Sequence, residues 1–263
     1  MPIGLAPYTI RFNVVSKESV EEAYRKISEM GYRGLEGGLG RGQGIKPEDD
    51  VKLLAKYGLS VCDVYADASN PAEAMKLARA YGTKYVCVGT VPGGMMMTAD
   101  GFKAYAAQLN KLAEPYAKEG FMLSYHNHAQ EFRNFSELGG KTGLEILIEE
   151  TDPKGVCFVL DVFWASAAGA DPAHWLRRLK GRINLAHFKD YAIDDQTSIS
   201  GFEMIPWRFA EVGRGNINWK AVVEACGYAG VEWYCVEQDF TRGDAFACLK
   251  TSIDFMRGEL KLN

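Results

Sequence analysis

Short β-rich runs and longer helical patterns alternate along this chain eight times, and that alternation constrains its fold more than any other feature. The spacing predicts strands over Ile3–Tyr8, Tyr32–Glu36, Leu59–Tyr65, Tyr85–Val88, Phe121–Asn127, Val156–Asp161, Ile183–Phe188 and Trp233–Glu237. Between and after them run helical patterns over Ser19–Met30, Pro47–Tyr57, Asn70–Tyr81, Asp100–Glu119 and Leu144–Glu150. Further helices start at Asp171-Pro172, cover Trp219–Cys226 with Gly227 behind, and close the chain over Asp244–Met256. Stop signals fit these bounds: Gly31, Gly58, Gly82 and Gly120 each follow a helical run, as C-caps do. Regular βα alternation argues for a parallel sheet with helices outside it. Eight units in 263 residues favour closure into a (β/α)8 TIM barrel, an α/β fold with one domain over residues 1–263. No Gly-x-Gly-x-x-Gly follows the first strand, which weakens a dinucleotide-binding sheet. The Gly37–Gly42 run follows the second strand and reads as a mobile loop rather than a phosphate cradle. The longest irregular segment, Tyr191–Asn218, falls after the seventh strand, where a barrel carries its chemistry, so a substrate cover is expected there.

The bulk properties exclude several classes of function. A hydrophobic fraction of 47% and a charged fraction of 24% are those of a globular protein. The net charge of −4, with no basic arm or stripe, argues against nucleic-acid binding and against docking on an anionic membrane. No apolar run approaches the roughly 20 residues of a membrane span, and Met1–Leu5 lacks the charged start of a signal peptide. The six cysteines stand in apolar segments without a Cys-x-x-Cys pair, as buried thiols of a reducing cytoplasm would. A homo-oligomer is left open.

In a barrel, the C-terminal ends of strands carry the site. The polar residues expected there are Glu36, Asp63, His126, His128, Asp161, His187, Lys189, Asp190, Glu237 and Asp239. His126 and His128 lie two apart on one strand, so both can face one pocket. His126, Asp161, His187 and Glu237 end four successive strands. Left unpaired, converging buried charges would each cost several kcal/mol. A divalent cation resolves this, and mixed imidazole and carboxylate donors suit Mn²⁺, Co²⁺, Zn²⁺ or Fe²⁺. Lys189 shares the face of His187 and is placed either to stabilise an enediolate oxygen or to form a rim salt bridge with Asp190. Met95–Met97 is a candidate for the pocket mouth, with core packing as the alternative.

The runs Leu160–Ala165, Ala168–Pro172, Gly181–Asp190, Glu211–Trp219 and Val236–Asp239 resemble the xylose isomerase-like superfamily of sugar isomerases and epimerases. Tyr125-His126-Asn127-His128 and Glu237-Gln238-Asp239 resemble its inosose dehydratase branch. The likeness runs over nearly the whole chain and is densest after residue 121. It implies a metal held by an acid, Asp161, His187 and Glu237, but the first position holds His126 instead. That departure leaves two schemes open: His126 ligates the metal, with His128 or Glu131 supplying the second acid/base, or His126 is itself the base. The catalytic candidates are therefore Glu237, His126, His128 and Lys189. Glu36, Glu131, Trp164 and Glu211 are candidates for substrate contact, with Trp207 as a further apolar wall. The implied activity is a sugar isomerase or epimerase that removes a proton next to a carbonyl through a metal-stabilised enediolate, with Mn²⁺ first and Co²⁺, Mg²⁺ or Zn²⁺ as alternatives. The substrate would be a small ketose, aldose or polyol ketone. A lyase that expels a β-hydroxyl after the same first step is the alternative. An apurinic-site endonuclease would need more ligands and a basic groove, and a non-catalytic binder would hold no metal.

Overall fold

The computed structural model describes residues 1–192, 209–241 and 243–263, and in it eight parallel strands close into a barrel. The strands are β1 (Ile3–Leu5), β2 (Gly34–Glu36), β3 (Ser60–Tyr65), β4 (Tyr85–Val88), β5 (Met122–His126), β6 (Val156–Asp161), β7 (Ile183–Phe188) and β8 (Trp233–Val236). Each pairs with its neighbours in sequence, and β8 pairs with β1. The surrounding helices are α1 (Lys17–Met30), α2 (Pro47–Lys56), α3 (Pro71–Tyr81), α4 (Ala99–Lys118), α5 (Gly143–Glu150), α6 (Val162–Ala167), α7 (Pro172–Arg178), α8 (Trp219–Ala229) and α9 (Ala245–Gly258). The chain is thus a TIM barrel, as the alternation predicts. Among the described residues no helix is long and apolar enough to cross a membrane.

Local chemistry explains the element bounds. Ser16 and Ser19 form a reciprocal capping box at the start of α1, which ends where Gly31 takes φ 105°. Its apolar residues Val20, Ala23, Tyr24 and Ile27 recur every three or four positions, and all four are buried. Three expectations are corrected. β1 stops at Leu5, because Pro7 lacks an N–H and opens a 3-10 turn over Pro7–Ile10. Gly227 does not end α8; the helix runs on to Ala229, and Gly230, at φ 86°, closes it. The glycine-rich run after β2 is anchored. The buried Asp50 carboxylate accepts from Gly40 N–H (3.1 Å), Tyr24 OH (2.8 Å) and Tyr81 OH (2.7 Å). A Cβ on Gly38 would stand 2.0 Å from Asp50 Oδ2, so glycine there serves close approach, not phosphate binding.

Register sets up the site. Asp161 at the end of β6 lies directly beside His187 on β7. His187 also pairs with Cys235 on β8, two residues before Glu237. Glu36 at the end of β2 lies beside Asp63 on β3. Beneath this rim the barrel is plugged by Cys62, Cys87, Val159, Leu185 and Cys235. All six cysteines are free and buried.

Candidate metal centre and cavity

His126, Asp161, His187 and Glu237 converge as expected, with one donor atom from each lying within 4.8 Å of the others. All four are buried. His126 Nε2 is 3.4 Å from Asp161 Oδ2, and His187 Nδ1 is 3.6 Å from the same oxygen and 3.1 Å from Glu237 Oε2. Donors bound at ~2.1 Å around one tetrahedral ion stand roughly 3.4 Å apart, so these separations already match a coordination shell.

The orientation of His187 supplies a second test of fit. Its Nε2 lies 2.7 Å from Glu36 Oε2, deep in the protein. A carboxylate accepts only, so Nε2 carries the proton. Nδ1 then faces the cluster and has no hydrogen-bond partner of its own. Such a carboxylate–imidazole pair, with the other nitrogen directed inward, is the usual support of a metal-ligating histidine. The four residues therefore fit a divalent ion. Glu36 is thus a carboxylate oriented on His187, and only its Oε1, buried without a partner, is left for a substrate hydroxyl.

Lys189 is fully buried beside this cluster. Its Nζ lies 3.0 Å from Asp161 Oδ2, 2.7 Å from Glu237 Oε2 and 2.6 Å from Asp239 Oδ2. The expected pair with Asp190 does not form. Asp190 instead accepts from the backbone of Tyr191, Gly213 and Ile217 and from Trp219 Nε1 (2.6 Å), tying down the chain that returns towards α8. Burial alone would raise Asp161 and Glu237, but Lys189 and the histidines outweigh it and hold both well below the usual carboxylate range. Burial opposes charge on His187, yet Glu36 and Glu237 raise it well above an ordinary histidine. Asp63 behaves oppositely. Burial without partners, and Glu36 beside it, push it well above the usual carboxylate range.

The open cavity above the cluster offers about 610 Å³. Its described lining includes Tyr8, Arg11, Glu36, Leu39, Gln43, Tyr65, His126, His128, Glu237 and Asp239. Thr90 Oγ1 sits 3.2 Å from His128 Nδ1, and sequence reasoning missed this residue because a lone threonine in a loop carries no pattern. Among the described residues Nε2 of His128 has no partner. Burial, then His126, lowers the pKa of His128 and keeps its ring neutral. Trp164 packs against His128 at a 5.5 Å ring separation, as a wall behind it.

Two candidates for substrate contact lie elsewhere. Glu131 is fully buried; it accepts from Tyr125 OH and from the backbone N–H of His128 (2.9 Å), so both oxygens are engaged in holding the loop after β5. Glu211 engages the Cys248 thiol on α9 and is not part of the described lining. Met95–Met97 form a 3-10 turn beside α4 and do not line the cavity either; Met95 and Met96 pack against the core. Trp207 lies outside the described residues.

Comparison with known proteins agrees with this architecture. Over 250 residues the chain is 30% identical to a protein named inosose dehydratase from Geobacillus thermodenitrificans (strain NG80-2), covering 81% of this chain and 80% of that one. Its fold is similar to a sugar phosphate isomerase/epimerase from Parabacteroides distasonis ATCC 8503, with a TM-score of 0.75, 22% identity, and 97% and 93% of the two chains covered. It is also similar to the IOLI protein with a binding zinc atom, with a TM-score of 0.67, 16% identity, and 98% and 97% covered. The last two likenesses concern the fold alone. The family model described as xylose isomerase-like TIM barrel matches residues 24–258, and the chain belongs to that family.

Proposed function

We propose that this protein is a divalent-metal-dependent enzyme that isomerises or epimerises a small ketose, aldose or polyol ketone by moving a proton next to its carbonyl. The observation that carries this reading is the donor set of His126, Asp161, His187 and Glu237, of which His126 and Glu237 line a cavity that also presents His128. An ion held there, with Mn²⁺ as the first choice, supplies Lewis-acid stabilisation of negative charge on a substrate oxygen. Glu237, kept far below the usual range, is a good ligand and a weak base. His128 is the better proton carrier: its ring is neutral, Thr90 fixes Nδ1, and Nε2 is left for the substrate. Lys189 donates towards oxygens at the cluster and offsets the charge that develops when the proton leaves.

A second reading, a lyase that expels a β-hydroxyl after the same proton removal, is favoured by the relative named inosose dehydratase. His128, once protonated, would then return its proton to the departing hydroxyl. One experiment separates the readings. The Mn²⁺-reconstituted protein is incubated in D₂O with ketoses and with a keto-inositol. Deuterium next to the carbonyl in a product of unchanged formula supports the isomerase. Loss of water with new ultraviolet absorbance supports the lyase. Neither exchange nor water loss with any of these compounds refutes both.

A further inference from the structure

The cavity is larger than one sugar ring requires, and its two sides differ in character. A six-carbon polyol ketone has roughly twelve non-hydrogen atoms; even at liquid water's ~30 Å³ for each, it fills at most ~360 Å³. The open cavity offers about 610 Å³. The metal donors end β5 to β8. Across the barrel mouth, the segments after β1 and β2 and the end of β3 contribute Tyr8, Arg11, Leu39, Gln43 and Tyr65.

That opposite wall is fixed and partly apolar. The Arg11 guanidinium donates to Tyr8 O (2.6 Å) and Asp239 O (2.7 Å), which immobilises it. It lies 3.8 Å from the Tyr8 ring centroid and 4.4 Å from that of Phe12. Tyr8 nevertheless remains 50% exposed and is part of the cavity lining. Gln43 is held through its amide N–H on Val14 O (2.9 Å), which leaves its carbonyl as an acceptor. An aromatic face beside remaining guanidinium N–H groups and an amide carbonyl suits a sugar ring, whose C–H face stacks while its hydroxyls bond. A purely apolar group would leave those polar atoms desolvated without partners.

We infer that the Tyr8–Arg11–Gln43 wall is a second sugar subsite, so that a keto sugar carrying a glycosyl substituent is preferred over a free monosaccharide. This rests on the proposed function above and deepens it. The test is calorimetric titration of the Mn²⁺-loaded protein with D-fructose and with the ketose disaccharides maltulose and isomaltulose. At least one disaccharide should bind about tenfold more tightly than fructose. Tyr8→Ala and Arg11→Gln should each shrink that preference to within about threefold and leave fructose affinity unchanged, with the fold retained. The inference is overturned if fructose binds as well as both disaccharides, if the preference survives both substitutions, or if none of the three binds. Deuterium exchange into fructose is read in parallel. Exchange without disaccharide preference overturns the subsite alone; preference without exchange with any of the three sugars overturns the proton-transfer reading alone.

Discussion

Replacing Glu36 with glutamine tests the metal centre without touching a ligand. Glu36 Oε2 accepts from His187 Nε2 at 2.7 Å, and both side chains are 1% exposed. Glutamine keeps the size and can still accept through its carbonyl, so the ring stays oriented while the carboxylate charge is lost. A hydrogen bond to a charged group contributes ~1.5–3 kcal/mol against ~1 for a neutral pair. The difference of ~0.5–2 kcal/mol corresponds to metal binding weakened about 2- to 30-fold, which overlaps the roughly 10- to 100-fold usual for such outer partners. Zinc or cobalt affinity is measured by competition with a chromophoric chelator, alongside the melting temperature of the metal-free protein. Asp63→Asn is the control. Asp63 has a raised pKa and bonds to no ligand, so its replacement should change metal affinity less than about twofold. If Glu36→Gln binds metal as tightly as wild type with its fold intact, or if the two variants weaken binding equally, His187 does not act as a ligand oriented by Glu36.

Elemental analysis after reconstitution should find about one divalent ion per chain, and its removal by a chelator should lower the melting temperature by mass action; no ion and no shift would discard the metal site. His187→Ala should abolish activity and weaken metal binding, whereas His174→Ala, exposed on α7, should do neither; equal losses would contradict the strand register. Glu237→Gln should weaken metal binding and stop exchange, while His128→Gln should stop exchange with metal retained; exchange at the wild-type rate in metal-loaded His128→Gln would move the proton to another group. Lys189→Met removes an ammonium 3.0 and 2.7 Å from two ligand oxygens, so metal affinity should rise about tenfold while turnover falls; weaker metal binding would mean that the ammonium supports the site instead of competing for it.

The barrel was legible because burial and backbone geometry both leave periodic traces. β6 and β7 read as continuous apolar runs ending in Asp161 and His187, and the structure places those two residues side by side. The four-residue donor set was legible for the same reason: each member ends a strand. Contacts that bridge distant positions leave no such trace. Glu36 meets His187 across 151 residues, and a lone glutamate at a strand end reads equally well as a substrate contact. Lys189 next to Asp190 in sequence suggested a pair, but alternation sends adjacent side chains on an extended segment to opposite sides. Lysine turns into the barrel, and aspartate turns out to hold the backbone of Gly213 and Ile217. The α8 boundary was missed because glycine marks a helix end only where φ turns positive, and Gly227 does not meet that condition.

The histidine at position 126 makes sense against the charge around it. Glu36, Asp161, Glu237 and Asp239 bring four carboxylates to one buried region, and Lys189 is the fixed cation among them. Even with His187 protonated, the metal-free cluster keeps an excess of carboxylates, which a divalent ion relieves. A fifth acid at 126 would add a buried negative charge that Lys189 has no capacity left to balance. An imidazole supplies a donor atom without that charge. The cost falls on the chemistry: the acid that the resemblance implies at this position, which could itself move a proton, is lost. In the proposed reaction the neutral imidazole of His128, on the same strand end and oriented by Thr90, would take that role, leaving Glu237 free to serve as a ligand.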